Sequence, residues 1–188
     1  MLFIVGLGNP GAGYERTPHN IGFRALDCFK DAYFPDRSWK TQYHSHIIEG
    51  SIEGKEIILC KPLTFMNSSG VAVASLMNFY KVEDYYDLWL VHDELDVSWG
   101  RIKVDLAKSS AGHRGVESII DAIGTMSFWR FRLGVRPEFY PDAKEDIDRY
   151  LTQSQVPQEK EAAILERTSE LLFAAVKEGI KTRDITIA

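Results

Sequence analysis

Three segments far apart in the chain hold the residues that could do chemistry. They are Asn9 in Gly6-Leu7-Gly8-Asn9-Pro10-Gly11 with Thr17-Pro18-His19-Asn20 after it, Asn67 in Phe65-Met66-Asn67, and Asp93 in His92-Asp93-Glu94. An imidazole oriented by a carboxylate can take a proton from water, and side-chain amides can donate to a carbonyl oxygen on which charge develops. No Ser or Cys stands out as a nucleophile, so the set points to water attacking a carbonyl substrate. His19 alone reads as a cap or a satisfied polar group. Asp93, closing an apolar run, changes that reading: it can accept the proton of one ring nitrogen and leave the other as the base. Glu94 and Asp96 compete for that role, and Asp93 could instead cap a turn. Asn67 reads equally as a helix N-cap or an oxyanion donor.

The elements that must position these groups follow from periodicity. Leu2 to Leu7 is a short apolar run ending in glycines, a buried strand, and residues 20 to 34 carry apolar side chains at helical spacing (Ile21, Phe23, Ala25, Leu26, Phe29). Tyr43 to Ile48 and Glu56 to Leu59 flank Glu53-Gly54 as a hairpin. Asn67 or Ser68 is expected to cap a helix running to about Tyr80, with Val73, Leu76, Met77 and Tyr80 on its buried side. Leu88 to Val91 predicts a buried strand with His92-Asp93-Glu94 at its carboxyl end, and Arg101 to Leu106 an edge strand. Gly115 to Ile123 reads as a helix closed by Gly124, Phe131 to Val135 as a strand, Pro137 to Asp142 as a loop. A last helix follows Pro157, buries Ile164, Leu165, Leu172, Phe173 and Val176, and stops at Gly179. Strands alternating with helices predict one three-layer α/β domain over residues 1–188, its central mixed, mostly parallel sheet covered on both faces. Functional residues then gather at the carboxyl ends of strands.

Other site readings fit less well. Gly6-Leu7-Gly8-Asn9-Pro10-Gly11 satisfies a dinucleotide fingerprint formally, but Pro10 and Pro18 bracket an extended loop where a phosphate-binding helix should open. Asp27, at the spacing of a ribose partner, falls inside the helix. His44 and His46 could join His92 and Asp93 around a metal, yet no further ligand has supporting spacing, and no metal is expected. Cys28 and Cys60 read as buried thiols. Ser109, Ser110, Gly112, His113 and Gly115 form a turn before a helix, a loop over the site or a simple linker.

At 188 residues, 45% hydrophobic and 26% charged, the composition is that of a globular protein large enough for a proper core. The apolar start is too short for a signal-peptide core and lacks a cationic leader, and no run approaches a membrane span; the expectation is a cytoplasmic protein with no membrane partner. A net charge of −5 argues mildly against nucleic acid. Arg101, Lys103, Lys108, Arg114, Arg130, Arg132 and Arg136 nevertheless crowd one third of the chain, diluted by Asp105, Glu117 and Asp121.

Taken together, the segments resemble bacterial peptidyl-tRNA hydrolase over nearly the whole chain. The carriers are Gly-Leu-Gly-Asn-Pro-Gly with Tyr14, residues 17 to 23 (Thr-Pro-His-Asn-Ile-Gly-Phe), residues 61 to 70 (Lys-Pro-Leu-Thr-Phe-Met-Asn-Ser-Ser-Gly), residues 92 to 96, Ala111-Gly112-His113 with Gly115, and residues 128 to 135 (Phe-Trp-Arg-Phe-Arg-Leu-Gly-Val). The resemblance implies a monomer without metal or cofactor that hydrolyses the ester between a peptide and the 3′ ribose of tRNA. It makes His19 the general base, Asp93 its orienting carboxylate, and Asn9 and Asn67 the groups that position substrate and support the oxyanion. Substrate contacts fall to Tyr14, Phe65, Met66, Asn67, Gly112, His113 and Arg114, with Lys103, Lys108 and Arg132 toward the tRNA. The family usually has Asn where this chain has Arg114, a cation that would meet a phosphate, and often a basic residue at Asp105; its glycine-rich run is here Lys108-Ser109-Ser110. Relatives of the fold that resemble splicing factors keep a second reading open, a non-catalytic RNA-binding module.

Overall fold

The computed structural model describes residues 1–106, 108–139 and 143–187. Among the described residues, eight strands form one mixed sheet: β1 (Leu2–Gly6), β2 (Lys40–Gln42), β3 (Ser45–Ile52), β4 (Lys55–Pro62), β5 (Leu88–Ser98), β6 (Arg101–Asp105), β7 (Trp129–Arg136) and β8 (Arg183–Thr186), in the order β2-β3-β4-β1-β5-β7-β6-β8. The parallel pairs are central, β4 with β1, β1 with β5 and β5 with β7, while the flanks are antiparallel. Five α-helices among the same described residues cover it: α1 (Ile21–Tyr33), α2 (Ser69–Phe79), α3 (Arg114–Ile123), α4 (Lys144–Gln153) and α5 (Gln158–Glu178).

The alternation of β1 sorts the core into two layers. Leu2 and Ile4 point toward Leu26 and Phe29 of α1, Leu151 of α4 and Leu172 of α5, whereas Phe3 and Val5 meet Val73 and Leu76 of α2 and Val116 and Ile119 of α3. This is the expected three-layer architecture. The Glu53-Gly54 hairpin is present as expected, both residues at positive φ (51° and 78°), the geometry of a tight two-residue turn. Gly124 closes α3 in the left-handed conformation. Among the described residues, no helix is long and apolar enough to cross a membrane.

Several expectations are corrected. β5 does not stop at Val91 but continues to Ser98, so His92, Asp93 and Glu94 lie within the strand; its pairing with β1 ends at Gly6 opposite Val91, which leaves them at the edge of the parallel centre. β6 is not an edge strand, because β8 pairs beyond it; one Ile185 among polar residues gave β8 no visible period. β2 is exposed throughout and α4 buries only Leu151 fully, so neither carried a strong apolar signal. Neither Asn67 nor Ser68 caps α2 through its side chain; a 3-10 turn over Met66–Ser68 leads into that helix instead. His44 sits before β3 with φ at 55°, so it and His46 do not share a strand face. Of the expected loop from Pro137, residues 140 to 142 lie outside the described residues.

Candidate active site

Two close backbone approaches set the site. A Cβ on Gly22 would come within 2.4 Å of the Val91 carbonyl oxygen, and one on Gly6 within 2.4 Å of the Gly22 oxygen. Only glycines let α1 start this close over β1 and β5. The 3-10 turn Pro18–Asn20 that precedes α1 therefore sits over the strand just where Asp93 emerges. By the two-residue period of β5, Asp93 shares the face of Val91, which is the face α1 covers.

His19 and Asp93 meet as expected. Nδ1 of His19 donates to the Asp93 carboxylate at 2.8 Å from Oδ1 and 2.9 Å from Oδ2, and both side chains are buried. A second imidazole shares the acid: His113 Nε2 lies 2.9 Å from Asp93 Oδ1. The His113 tautomer is fixed independently, because its Nδ1 accepts the backbone N–H groups of Gly115 (3.1 Å) and Val116 (3.3 Å), capping α3. An Nδ1 that accepts must leave the proton on Nε2, so His113 donates to Asp93. His19 likewise donates through Nδ1, and its Nε2 is left as a base. Burial alone would raise the Asp93 carboxyl, but the two histidines outweigh it and hold the group well below its ordinary range. Behind His113, the His92 ring packs edge-on at 4.7 Å; it donates Nδ1–H to the Asp93 carbonyl, and burial first, then His113, keep it neutral.

The amides are held by a separate set of bonds. The Asn9 N–H donates to Asn20 Oδ1 (2.8 Å) and Asn20 Nδ2 donates back to the Asn9 carbonyl (2.9 Å), a reciprocal clip across the loop. Asn9 Oδ1 accepts the Met66 N–H at 2.8 Å, which assigns the amide and leaves Asn9 Nδ2 to donate to an occupant of the cleft. Gly115 packs under Met66, where an added Cβ would stand 2.4 Å from its Sδ. Asn67 and Phe65 are exposed, and Phe65 meets Tyr14 edge to face at 6.4 Å between centroids.

These groups line a cleft with two lobes. One, of about 340 Å³, is lined by Asp93, Gly112, His113, Glu117 and the α4 residues Lys144, Ile147 and Asp148. The other, of about 300 Å³, is lined by Asn9, Phe65, Met66 and Asn67. His19, Arg114 and Thr152 border both. Arg114, exposed, forms an ion pair with Asp148 across the first lobe. His19, Asp93 and His113 could together offer three donor atoms to a cation, within 4.8 Å of one another, but each is already used by the hydrogen bonds among them.

The expected tRNA contacts divide. Arg132 is engaged by two carboxylates, Glu94 through Nε and Nη2 (both 2.9 Å) and Asp105 through Nη1 (3.1 Å). Lys103 lies 4.0 Å from Asp184, and Lys108 is exposed. Asp27, the rejected ribose partner, instead binds Lys61 and Trp39 from within α1. Sequence reasoning missed Asn20 and Lys144 as parts of the site and the double duty of His113. Asn20 had a signal in its place beside His19, whereas Lys144 had none without α4.

The chain matches the sequence model of the family described as peptidyl-tRNA hydrolase over residues 3–187. It is 39% identical to the peptidyl-tRNA hydrolase of Aquifex aeolicus over 93% of this chain and 89% of that protein, and 36% identical to that of Chloroflexus aurantiacus over 97% and 96%. Among solved structures it is similar to the peptidyl-tRNA hydrolase of Acinetobacter baumannii, with a TM-score of 0.81 and 31% identity over 94% of this chain and 87% of that one.

Proposed function

Because this chain belongs to the peptidyl-tRNA hydrolase family, we propose that it cleaves the ester joining a peptide to the 3′ ribose of tRNA, with water as nucleophile. The single observation that carries the mechanism is the His19–Asp93 pair at the junction of the two lobes, with Nδ1 of His19 turned to the acid. Nε2 takes a proton from water as the oxygen attacks the ester carbonyl, and the Asp93 carboxylate offsets the charge of the imidazolium that forms. Asn9 Nδ2 and the Asn67 amide donate to the oxyanion. Collapse of the tetrahedral intermediate breaks the bond to the ribose oxygen, which receives the proton from His19, and releases a peptide acid and a tRNA with a free 3′ hydroxyl.

A scissile bond at His19 places the peptide in one lobe and the terminal nucleotide in the other. His113, Gly112 and Met66 act as walls, while Tyr14 and Phe65 offer ring faces at the rim. Arg114 and Lys144 line the cleft and Lys108 is exposed, so these are the cations offered to phosphate, Arg114 by exchanging Asp148 for it; Lys103 and Arg132 likewise face carboxylates that RNA would have to replace. We take the protein as a cytoplasmic monomer that needs no metal or cofactor. Membership of a family whose curated relatives are named as hydrolases favours catalysis over a non-catalytic RNA-binding role. Selectivity follows from the amides, since a site built to pair with a peptide group penalises a substrate lacking one. The test is single-turnover cleavage of N-acetyl-aminoacyl-tRNA against free aminoacyl-tRNA: the first is cut and the second spared, and His19→Ala abolishes nearly all turnover. Equal rates on both substrates, or a His19→Ala protein near the parental rate, would refute the assignment.

A further inference from the structure

We propose that Glu161, in the first turn of α5 and outside both lobes of the cleft, is a positioning residue for the reaction: by clamping Arg16 and Arg24 it fixes the turn from which His19 faces Asp93. The inference rests on the catalytic role proposed for His19. Glu161 is 1% exposed, and its carboxylate is divided between two guanidinium groups. Oε1 lies 3.2 Å from Arg16 Nη2, and Oε2 accepts from Arg24 Nε at 2.9 Å, with Nη2 of the same guanidinium in ion-pair contact at 2.7 Å.

The arginines pass this anchorage to the loop that carries His19. Arg24 Nη1 donates to the carbonyl oxygens of Glu15 (2.5 Å) and Thr17 (3.0 Å), the latter two residues before His19. Arg16 Nη2 donates to the Val156 carbonyl at 3.0 Å, and the Val156 N–H returns to the Arg16 carbonyl at 2.9 Å. Residues 15 to 17 are thus tied at several points to α5 and the segment before it, and the His19 turn begins at the next residue. Within the loop between β1 and α1 the Asn9–Asn20 clip and two isolated 3-10 turns give local order, with residues 11 to 13 exposed and no ladder, so the carbonyls of residues 15 and 17 take their anchorage from outside the loop.

Stability gives a weak reason for such a group. A carboxylate taken out of water loses much of what its ion pairs return, and a well-packed apolar side chain would hold α5 against α1 comparably. An apolar side chain would not hold two guanidinium forks in one geometry, which is what the carbonyls of residues 15 and 17 require. The clamp also lies within electrostatic reach of the catalytic pair: burial lowers the Arg24 pKa, Glu161 opposes that, and Asp93 acts in the same direction as Glu161.

The test compares Glu161→Gln, which keeps the shape and removes the charge, with Leu172→Ala, which weakens α5 through the core without touching the clamp. N-acetyl-aminoacyl-tRNA gives kcat and KM on folded protein, and imidazole ¹⁵N spectra of the substrate-free protein report the His19 tautomer. Glu161→Gln is expected to lower kcat by roughly ten- to a hundredfold, the scale of an ångström misplacement, with KM little changed and the single Nδ1–H form of His19 giving way to a mixture. Leu172→Ala keeps kcat and the spectrum. Parental kcat and spectrum in Glu161→Gln, or the same losses in Leu172→Ala, overturn the proposal. If Glu161→Gln does not fold, Arg16→Gln removes one arm of the clamp and must move both readouts in the same direction, parental values again overturning it. Should the parental protein fail to cleave the substrate, the catalytic reading falls, while the His19 spectrum still decides whether the clamp orders that ring.

Discussion

Replacing Asp93 by Asn tests the tautomer argument, because the structure dictates how the new amide must sit. His113 cannot give up its Nε2 proton while Nδ1 accepts from Gly115 and Val116, so it needs an acceptor where Asp93 Oδ1 stands, 2.9 Å away. The amide oxygen takes that place, and the NH₂ occupies the Oδ2 position, 2.9 Å from His19 Nδ1. His19 Nδ1 also stands 2.8 Å from that oxygen, but His113 already donates to it, so a donor at the Oδ2 position favours His19 Nδ1 as acceptor and its proton on Nε2, where the base should be. A wrong tautomer of this kind costs about 10⁴ in kcat in a serine-protease triad, or roughly 5.5 kcal/mol of transition-state stabilisation. The expected result is a loss of that order in single-turnover cleavage of N-acetyl-aminoacyl-tRNA, with substrate affinity nearly kept. The sharper test is the second substitution: adding His113→Ser frees the amide to turn its oxygen toward His19, while Ser can still cap α3. Asp93→Asn with His113→Ser is therefore expected to be more active than Asp93→Asn alone, by roughly tenfold if the general-base contribution is partly restored. A double variant no faster than the single one, with melting temperatures matched, would refute the reasoning that His113 sets the amide.

Asn9→Ala removes the donor whose partner oxygen is pinned by Met66 N–H, and is expected to lower kcat by about 10² to 10³ in the same assay, the cost of one oxyanion donor; a loss below fivefold would assign Asn9 to loop structure instead. Acid should destabilise the fold in two stages, followed by urea midpoints between pH 7.5 and pH 3. His92 is held well below its ordinary 6.5 by burial and His113, so the unfolded chain takes up a proton that the folded one refuses; the stability present above 6.5 declines as pH falls below it. Asp93, also held low despite its burial, adds a further loss below its ordinary 3.8, and His92→Gln should flatten the first stage only.

Much of this protein was legible before any coordinates, for a physical reason. A strand such as β1 repeats its burial every second residue and a helix such as α1 every three or four, so local order writes a period into the sequence that the core then uses. The same logic placed Asn9, His19, Asn67 and Asp93 at the edge of the parallel strands, and His19 and Asp93 do meet although 74 residues separate them. Where the period was faint it was missed: β2 has no buried side chain, α4 has one, and β8 is held by its backbone pairing. Tertiary structure alone decided the partnerships. It gave Asp93 a second imidazole whose tautomer is set by the amino end of α3, neutralised Arg132 between Glu94 and Asp105, turned the Asn9 amide by way of Met66, and tied the His19 turn to Glu161, 137 residues beyond Arg24. Hydrogen bonds and ion pairs of that range depend on how separate elements dock, and a single unrepeated contact leaves no spacing in the chain from which to read it.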